Sequence, residues 1–418
     1  MRAVYYNIGT LVAFQSNQNH IHDESLIMHD KGIVVNDGAI ESIQDSSDLV
    51  HEYSISPDGH GVQNETQVHN VRGNAVVPGL IDAHTHLLWA GDRSQEVGWR
   101  REGLSYADIA SKGGGIQHTV HATRQAEDDE LFSLGYQRLR EALHTGTTHL
   151  EAKSGYGLDT ATELRLLDIA SKLNDVTHTP TLDLTWMGAH DVPKGTSAPE
   201  YVDHLLSEQL PAVVSQGLAR SSDVFCEPGW FSVEQSEDIL RESRKHGLSL
   251  RMHVDEFIDG GGGALACELN VDTADHAYHT PLNVRHKMKE LDINTGFLPG
   301  TPYAMGDPWP DMEQMVELGI PYTLATDFNP NCRTLSLPFM CSLMVQRCGM
   351  HPLNALASVT VHAAKTTPHP TGRVHGVLEQ GAVANFNIVD GPHWESLALR
   401  PSASPFCATV LNGGFIAH

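Results

Sequence analysis

The sequence predicts an α/β fold: a (β/α)8 TIM-type barrel joined to a small β-sandwich domain built from both chain termini. Three observations predict it. Strand-like runs alternate with helix-length segments through the middle of the chain, eight units over roughly 280 residues, which is the count and size of such a barrel. Both ends of the chain are β-rich and carry hairpin signals. Polar residues collect at the C-terminal ends of the middle runs, where barrels of this kind place their chemistry. The expected division is residues 1–76 and 369–418 for the small domain and 77–368 for the barrel.

Taken in order, residues 32–43 have two β-rich arms around Asp37-Gly38, a strong hairpin signal. The polar stretch 44–67 reads as loop. An apolar run, 75–81, supplies the first barrel strand, and further strands fall at 147–153, 181–186, 223–226, 248–253, 272–276, 295–298 and 322–327. Helical segments fit between them, for example 234–246 after the fourth and 340–350 after the last. A doubly wound open sheet is the competing arrangement, but no GxGxxG follows the first strand. The C-terminus returns to β structure at 384–389 and in a hairpin around Asn412-Gly413.

Composition bounds the function. The 418 residues are 40% hydrophobic, with a net charge of −25, and only nine lysines stand against eighteen arginines. Such a surface disfavours nucleic acid and anionic lipid as partners. Its self-repulsion is tolerated where salt screens charge over a few ångström, so adaptation to high salt is the favoured reading and an ordinary acidic enzyme the alternative. No run approaches the ~20 apolar residues of a membrane helix, and the start lacks a secretion signal, so a cytoplasmic protein is expected. Six scattered cysteines without CxxC pairs suit a reducing compartment and argue against a thiolate zinc cluster.

The most informative stretch closes the first barrel strand: Asp82-Ala83-His84-Thr85-His86. Residues two apart on a strand share a face, so both imidazoles leave the strand end together. One such pair is weak evidence in a chain with 26 histidines. Downstream, strand five ends in His253, Asp255 and Glu256, strand six in Asp275 and His276, and strand eight in Asp327. Histidines and an aspartate at matching strand ends are the nitrogen and oxygen donors that Zn²⁺ or iron accepts.

These strings resemble the metal-dependent amidohydrolases, and more specific ones narrow the likeness. Gly91-Asp92-Arg93 follows the paired histidines, Gly113 to Ile116 leads into the run Thr119 to Arg124, Lys153-Ser154-Gly155-Tyr156-Gly157-Leu158 ends strand two, His190 ends strand three, and Asp327-Phe328-Asn329-Pro330 closes strand eight. Together they are similar to the imidazolonepropionase family, whose members hydrolyse 4-imidazolone-5-propanoate to N-formimidoyl-L-glutamate in histidine degradation. The resemblance implies metal ligands His84, His86, His253 and Asp327, holding one Zn²⁺ or Fe³⁺ per subunit. It implies substrate contacts from Arg93, Tyr156, His190 and Glu256, with Asn329, Asn331 and Cys332 in the loop beside them. The family commonly has glycine and then Ser or Thr where Asn331 and Cys332 stand. A glycine there brings backbone close to a ligand, so this loop is where the chain departs from the pattern.

The chemistry follows from the residue types. A bound metal acidifies water from pKa 15.7 to about 7 and polarises a carbonyl. Glu256 is the expected proton shuttle to the leaving ring nitrogen, His276 its partner at the water, and His190 a candidate for the oxyanion. Asp327 combines a ligand position with basicity, so the general base stays open among Asp327, His276 and Glu256. Arg93 suits the propionate of a small anionic substrate. Glu151 and Lys153 carry opposite charges on one strand and stay unassigned, and Gly260 to Gly263 reads as a close helix–strand approach. A ring deaminase of the same superfamily is the alternative, and a silent scaffold would have lost ligands. A homodimer is expected, since two-fold dimers are the commonest assembly.

Overall fold

In the computed structural model, residues 2–16, 24–56, 66–104, 106–306, 309 and 311–418 are described. The chain opens with β1 (Arg2–Val12), β2 (Ile27–Asn36), β3 (Ala39–Asp45), β4 (Gln67–Asn70) and β5 (Ala75–Pro78). The expected turn at Asp37-Gly38 joins β2 to β3 with φ of +47° and +76°. That is the left-handed pair a two-residue hairpin turn requires. The stretch read as loop holds a helix instead, Ser46–Glu52, whose Leu49 packs with Val4, Val34 and Tyr53 on the outer face of the sheet. Only one apolar residue of that helix is buried, too little periodicity to be read from sequence. Residues 57–65 of the expected loop lie outside the described residues.

After Gly79 come the barrel strands β6 (Leu80–Asp82), β7 (Thr147–Lys153), β8 (Thr181–Ala189), β9 (Ser221–Cys226), β10 (Ser249–Val254), β11 (Thr273–His276), β12 (Asn294–Phe297) and β13 (Tyr322–Leu324). They pair in sequence order, all parallel. Helices between them cover the outside, so strands such as β7 and β9 are buried along their whole length. The ring closes just past the ends of its first and last strands. Asp82 accepts from the N–H of Thr326 at 3.0 Å and from its hydroxyl at 2.6 Å. Asp327 N–H then reaches the His84 carbonyl at 3.1 Å, and His86 N–H reaches that of Phe328 at 2.9 Å. The seam therefore stitches together the two segments carrying the predicted ligands.

The chain ends in β14 (Phe386–Val389), β15 (Phe406–Leu411) and β16 (Gly414–Ala417). The expected hairpin joins β15 to β16 through Asn412 and Gly413, both at positive φ. β14 pairs antiparallel with β5, giving one sheet in the order β16-β15-β14-β5-β1-β2-β3, with β4 on β1. Residues from both termini thus share a core: Tyr5 meets the Phe386 ring edge-on at 5.0 Å and donates its hydroxyl hydrogen to the Gly413 carbonyl. That core continues into helix Leu337–Cys348, so the terminal sheet packs against the end of the barrel chain. No helix among the described residues is long and apolar enough to cross a membrane.

Candidate active site

His84 and His86 follow β6 and are buried, with ring centroids 5.5 Å apart. β10 brings His253 to 4.5 Å from the His84 ring. Asp327 Oδ1 lies 3.5 Å from His84 Nε2 and 3.7 Å from His86 Nε2. Donor atoms of His84, His86 and Asp327 fall within 4.8 Å of one another, as do those of His84, His253 and His276. Asp327 and His276 take left-handed backbone, φ +48° and +66°.

The donor set fits a metal ion. His84 Nδ1 faces Asp275 Oδ2 at 2.6 Å and His253 Nδ1 faces Asp223 Oδ1 at 3.0 Å. A carboxylate at Nδ1 places the hydrogen there and leaves a lone pair on Nε2. Both Nε2 atoms are buried without a hydrogen-bond partner among the described residues, a costly state unless a ligand takes the lone pair. Burial, aided by neighbouring cations, holds His84, His86 and His276 well below the ordinary imidazole range, so the rings are neutral. Burial opposes the Asp223 carboxylate, but His253 and Lys153 outweigh it and keep its pKa low.

Lys153 explains itself here. Its ammonium lies 2.9 Å from Glu151 Oε1 and 2.6 Å from Asp223 Oδ2, fully buried inside the barrel. Burial disfavours its charge, yet Asp223 and Glu151 raise its pKa above the usual lysine value.

A cavity of about 660 Å³ opens over the cluster. It is lined by His86, Arg93, Tyr156, His190, His253, Glu256, His276, Asp327, Asn329, Asn331 and Cys332. His84 lies beneath, so the structure brings the whole predicted set together. The Glu256 carboxylate is 3.6 Å from His276 Nε2. Two details depart from expectation. Arg93 already grips Glu96 with its fork, Nε to Oε1 at 2.8 Å and Nη2 to Oε2 at 2.9 Å. Gly115 N–H also reaches Glu96 Oε1 at 2.8 Å, so the glycine run before Ile116 wraps this ion pair.

The second departure is His190. It stacks on His86 at 4.8 Å and meets Tyr156 edge-on at 5.0 Å. Its Nδ1 faces the Gly155 carbonyl at 2.9 Å, and burial pushes its pKa down to about 3. A neutral ring donating from Nδ1 offers a lone pair at Nε2, not a hydrogen. The oxyanion role expected for it needs a hydrogen on Nε2, whereas this arrangement puts the ring hydrogen on Nδ1.

In the loop after strand eight, Asn329 works inward. Its amide donates to the Asp327 carbonyl at 2.8 Å, and its oxygen accepts from Asn331 N–H at 2.7 Å and Cys332 N–H at 3.2 Å. The N–H of Asn331 is thus used within the loop. Burial raises the Cys332 thiol far above its ordinary range, which makes it an inert wall group.

Sequence reasoning missed the supporting acids. Asp223, Glu96 and Glu227 carry no pattern of their own, although an acid inside a strand, as at Asp223, is itself a signal, and Asp255, named at the end of strand five, was given no role. Asp255 accepts from the N–H groups of Gly260, Gly262 and Gly263, each at 3.1 Å, and from the Thr280 hydroxyl. The glycine run lets helix Gly262–Leu269 begin against this carboxylate, so the close approach expected there is an acid caging a helix start. Burial pushes Glu227, on the cavity wall, up to about 7.

A parallel eight-stranded barrel with histidines and an aspartate gathered at its strand ends, flanked by a sheet from both termini, defines a hydrolase of the amidohydrolase class. Solved structures agree on the fold. A 5-methylcytosine deaminase from Klebsiella pneumoniae superposes with a TM-score of 0.72 at 14% identity, covering 100% of this chain and 98% of that one. The A. niger ochratoxinase gives 0.70 at 17%, covering 99% and 95%. No protein-family model matches the chain. Among curated proteins, an imidazolonepropionase of Haloarcula marismortui is 37% identical over 415 residues, 99% of this chain and 96% of its own. Those of Symbiobacterium thermophilum and Clostridium tetani are 39% and 33% identical, over 87% and 97% of this chain and 84% and 94% of theirs. The chain belongs to the imidazolonepropionase family.

Proposed function

We propose that the chain hydrolyses the ring C–N bond of 4-imidazolone-5-propanoate to N-formimidoyl-L-glutamate, the histidine-degradation step of its family. The observation that carries this reading is the meeting of Arg93, Tyr156 and His190 over the histidine cluster in one cavity, in a chain matched by imidazolonepropionases over nearly its whole length. His84, His86, His253 and Asp327 would hold one Zn²⁺ or Fe³⁺ per subunit. Such an ion, when bound, would supply Lewis acidity and would acidify water enough to make it a nucleophile at neutral pH.

The chain's own groups do the rest. Glu256 takes the proton of the attacking water, with His276 against it, and returns it to the ring nitrogen, which leaves only when protonated. Asp327 faces His84 and His86 and keeps its second oxygen on the Thr301 hydroxyl. His190 Nε2 accepts an N–H of the substrate ring and Tyr156 closes the side of the cavity. Glu96 holds the guanidinium of Arg93 at the cavity wall, where its charge suits the propionate. The assembly proposed is a cytoplasmic homodimer acting on a small anionic substrate.

The test is turnover of freshly made 4-imidazolone-5-propanoate by metal-loaded protein in high salt, read as loss of its ultraviolet absorbance. Arg93→Met should raise KM and Asp327→Asn should abolish turnover. Ammonia release instead would indicate a deaminase, and a folded, metal-loaded protein without turnover would reject the reading.

A further inference from the structure

Glu256 stands three residues beyond His253, and on an extended strand that odd spacing sends the two side chains to opposite faces. The chain must bend for both to serve one site. β10 ends at Val254, and Asp255 follows at φ +48°. With the Asp255 carboxylate spent on the glycine run, the N–H groups of Glu256 and Phe257 turn to a residue from another strand. Both donate to Oε1 of Glu227, which follows the end of β9, the bond from Phe257 being 3.4 Å. Glu227 is 2% exposed and lines the cavity beside Glu256. Its Oε2 is buried with no hydrogen-bond partner among the described residues. An acid in that position carries a desolvation cost that an apolar side chain would avoid, so the contact it does make needs a reason.

We propose that Glu227 is a positioning residue: it clamps the backbone of Glu256 and Phe257 so that the Glu256 carboxylate stands against His276 and over the histidine cluster. The proposal rests on Glu256 being the proton shuttle. The clamp needs an acceptor oxygen at Oε1 and no charge, so it holds whether the carboxyl is ionised or protonated. A glutamine therefore preserves it, and a side chain without oxygen removes it.

The experiment compares Glu227→Ala, Glu227→Gln, Glu256→Ala and the double Glu227→Ala/Glu256→Ala with wild type, all zinc-loaded, for kcat, KM, zinc content and thermal midpoint. Glu227→Ala should lose about 10- to 100-fold in kcat, the scale set by a displaced reacting group, with zinc content unchanged. Glu227→Gln should stay within about threefold of wild type, and KM should move by less than about threefold in both. The double variant should be no slower than Glu256→Ala, because the clamp acts only through Glu256. Unchanged kcat in Glu227→Ala overturns the proposal. So does a glutamine variant as slow as alanine, which would assign the role to charge, or a further loss in the double variant. If alanine does not fold, Glu227→Met fills the space without an acceptor. Unchanged kcat in Glu256→Ala sinks the shuttle assignment itself, a failure visible apart from the Glu227 arms.

Discussion

Asp275 Oδ2 lies 2.6 Å from His84 Nδ1, and this contact between residues 191 positions apart decides which nitrogen of His84 faces the site. The same device recurs between Asp223 and His253. Each carboxylate fixes the tautomer and strengthens the ring as a donor. Replacing Asp275 by Asn should therefore lower metal affinity about 10- to 100-fold without changing the ligands. Chelator competition with apo protein would measure it, and an affinity equal to wild type would remove Asp275 from the design.

Lys153 balances two buried acids, Glu151 and Asp223, inside the barrel. Lys153→Met leaves both without their cation. Removing one partner of a buried pair costs about 3–5 kcal/mol, which denaturant unfolding should register as a lower midpoint at unchanged slope. Weaker metal retention should accompany it, since Asp223 orients His253. A loss below about 1 kcal/mol would show that the barrel interior is wetter than the structure implies.

A second group of histidines lies outside the site: His149, His369 and His375, with ring centroids 5.1–5.5 Å apart and all buried. Burial lowers His369 and His375 to about 4, the first aided by Arg373 and the second by His369. With folded values depressed below the unfolded 6.5, the unfolded chain binds more protons between those limits. Stability is therefore complete above about pH 6.5 and is lost as pH falls from there toward 4. Thermal midpoints measured from pH 8 to 4 should fall through that window, and replacing His369 and His375 by Gln in a still-folded protein should flatten the fall. A midpoint constant down to pH 4.5 would contradict the neutral assignment.

The net charge of −25 predicts a response to salt. Self-repulsion is screened as the Debye length shrinks from about 10 Å at 0.1 M to about 3 Å at 1 M. Refolding yield and thermal midpoint should rise over that range. Maximal folding and activity in dilute buffer would reject salt adaptation.

Much of this molecule was legible from local pattern. The turns at Asp37-Gly38 and Asn412-Gly413, the alternation of strand and helix and the pairing of His84 with His86 each depend on residues a few positions apart. The helix Ser46–Glu52 was not legible, because one buried leucine makes no periodicity. Nor was the engagement of Arg93 by Glu96: an i,i+3 spacing suits a surface pair as well as a cavity wall.

The sequence by itself determined the barrel, the terminal sheet and the side chains at the ends of strands one, five, six and eight, because strand alternation and turn chemistry are properties of neighbouring residues. Only the tertiary structure decided how those side chains are aimed. Closure of the ring sets Asp82 against Thr326 and brings Asp275 to His84, while the pairing of neighbouring strands sets Asp223 beside His253 and Glu227 under the turn that carries Glu256, and the barrel interior brings Lys153 to Asp223. These are contacts between strands, whose partners are chosen by strand order, by closure and by the low dielectric inside the ring. No local periodicity encodes them.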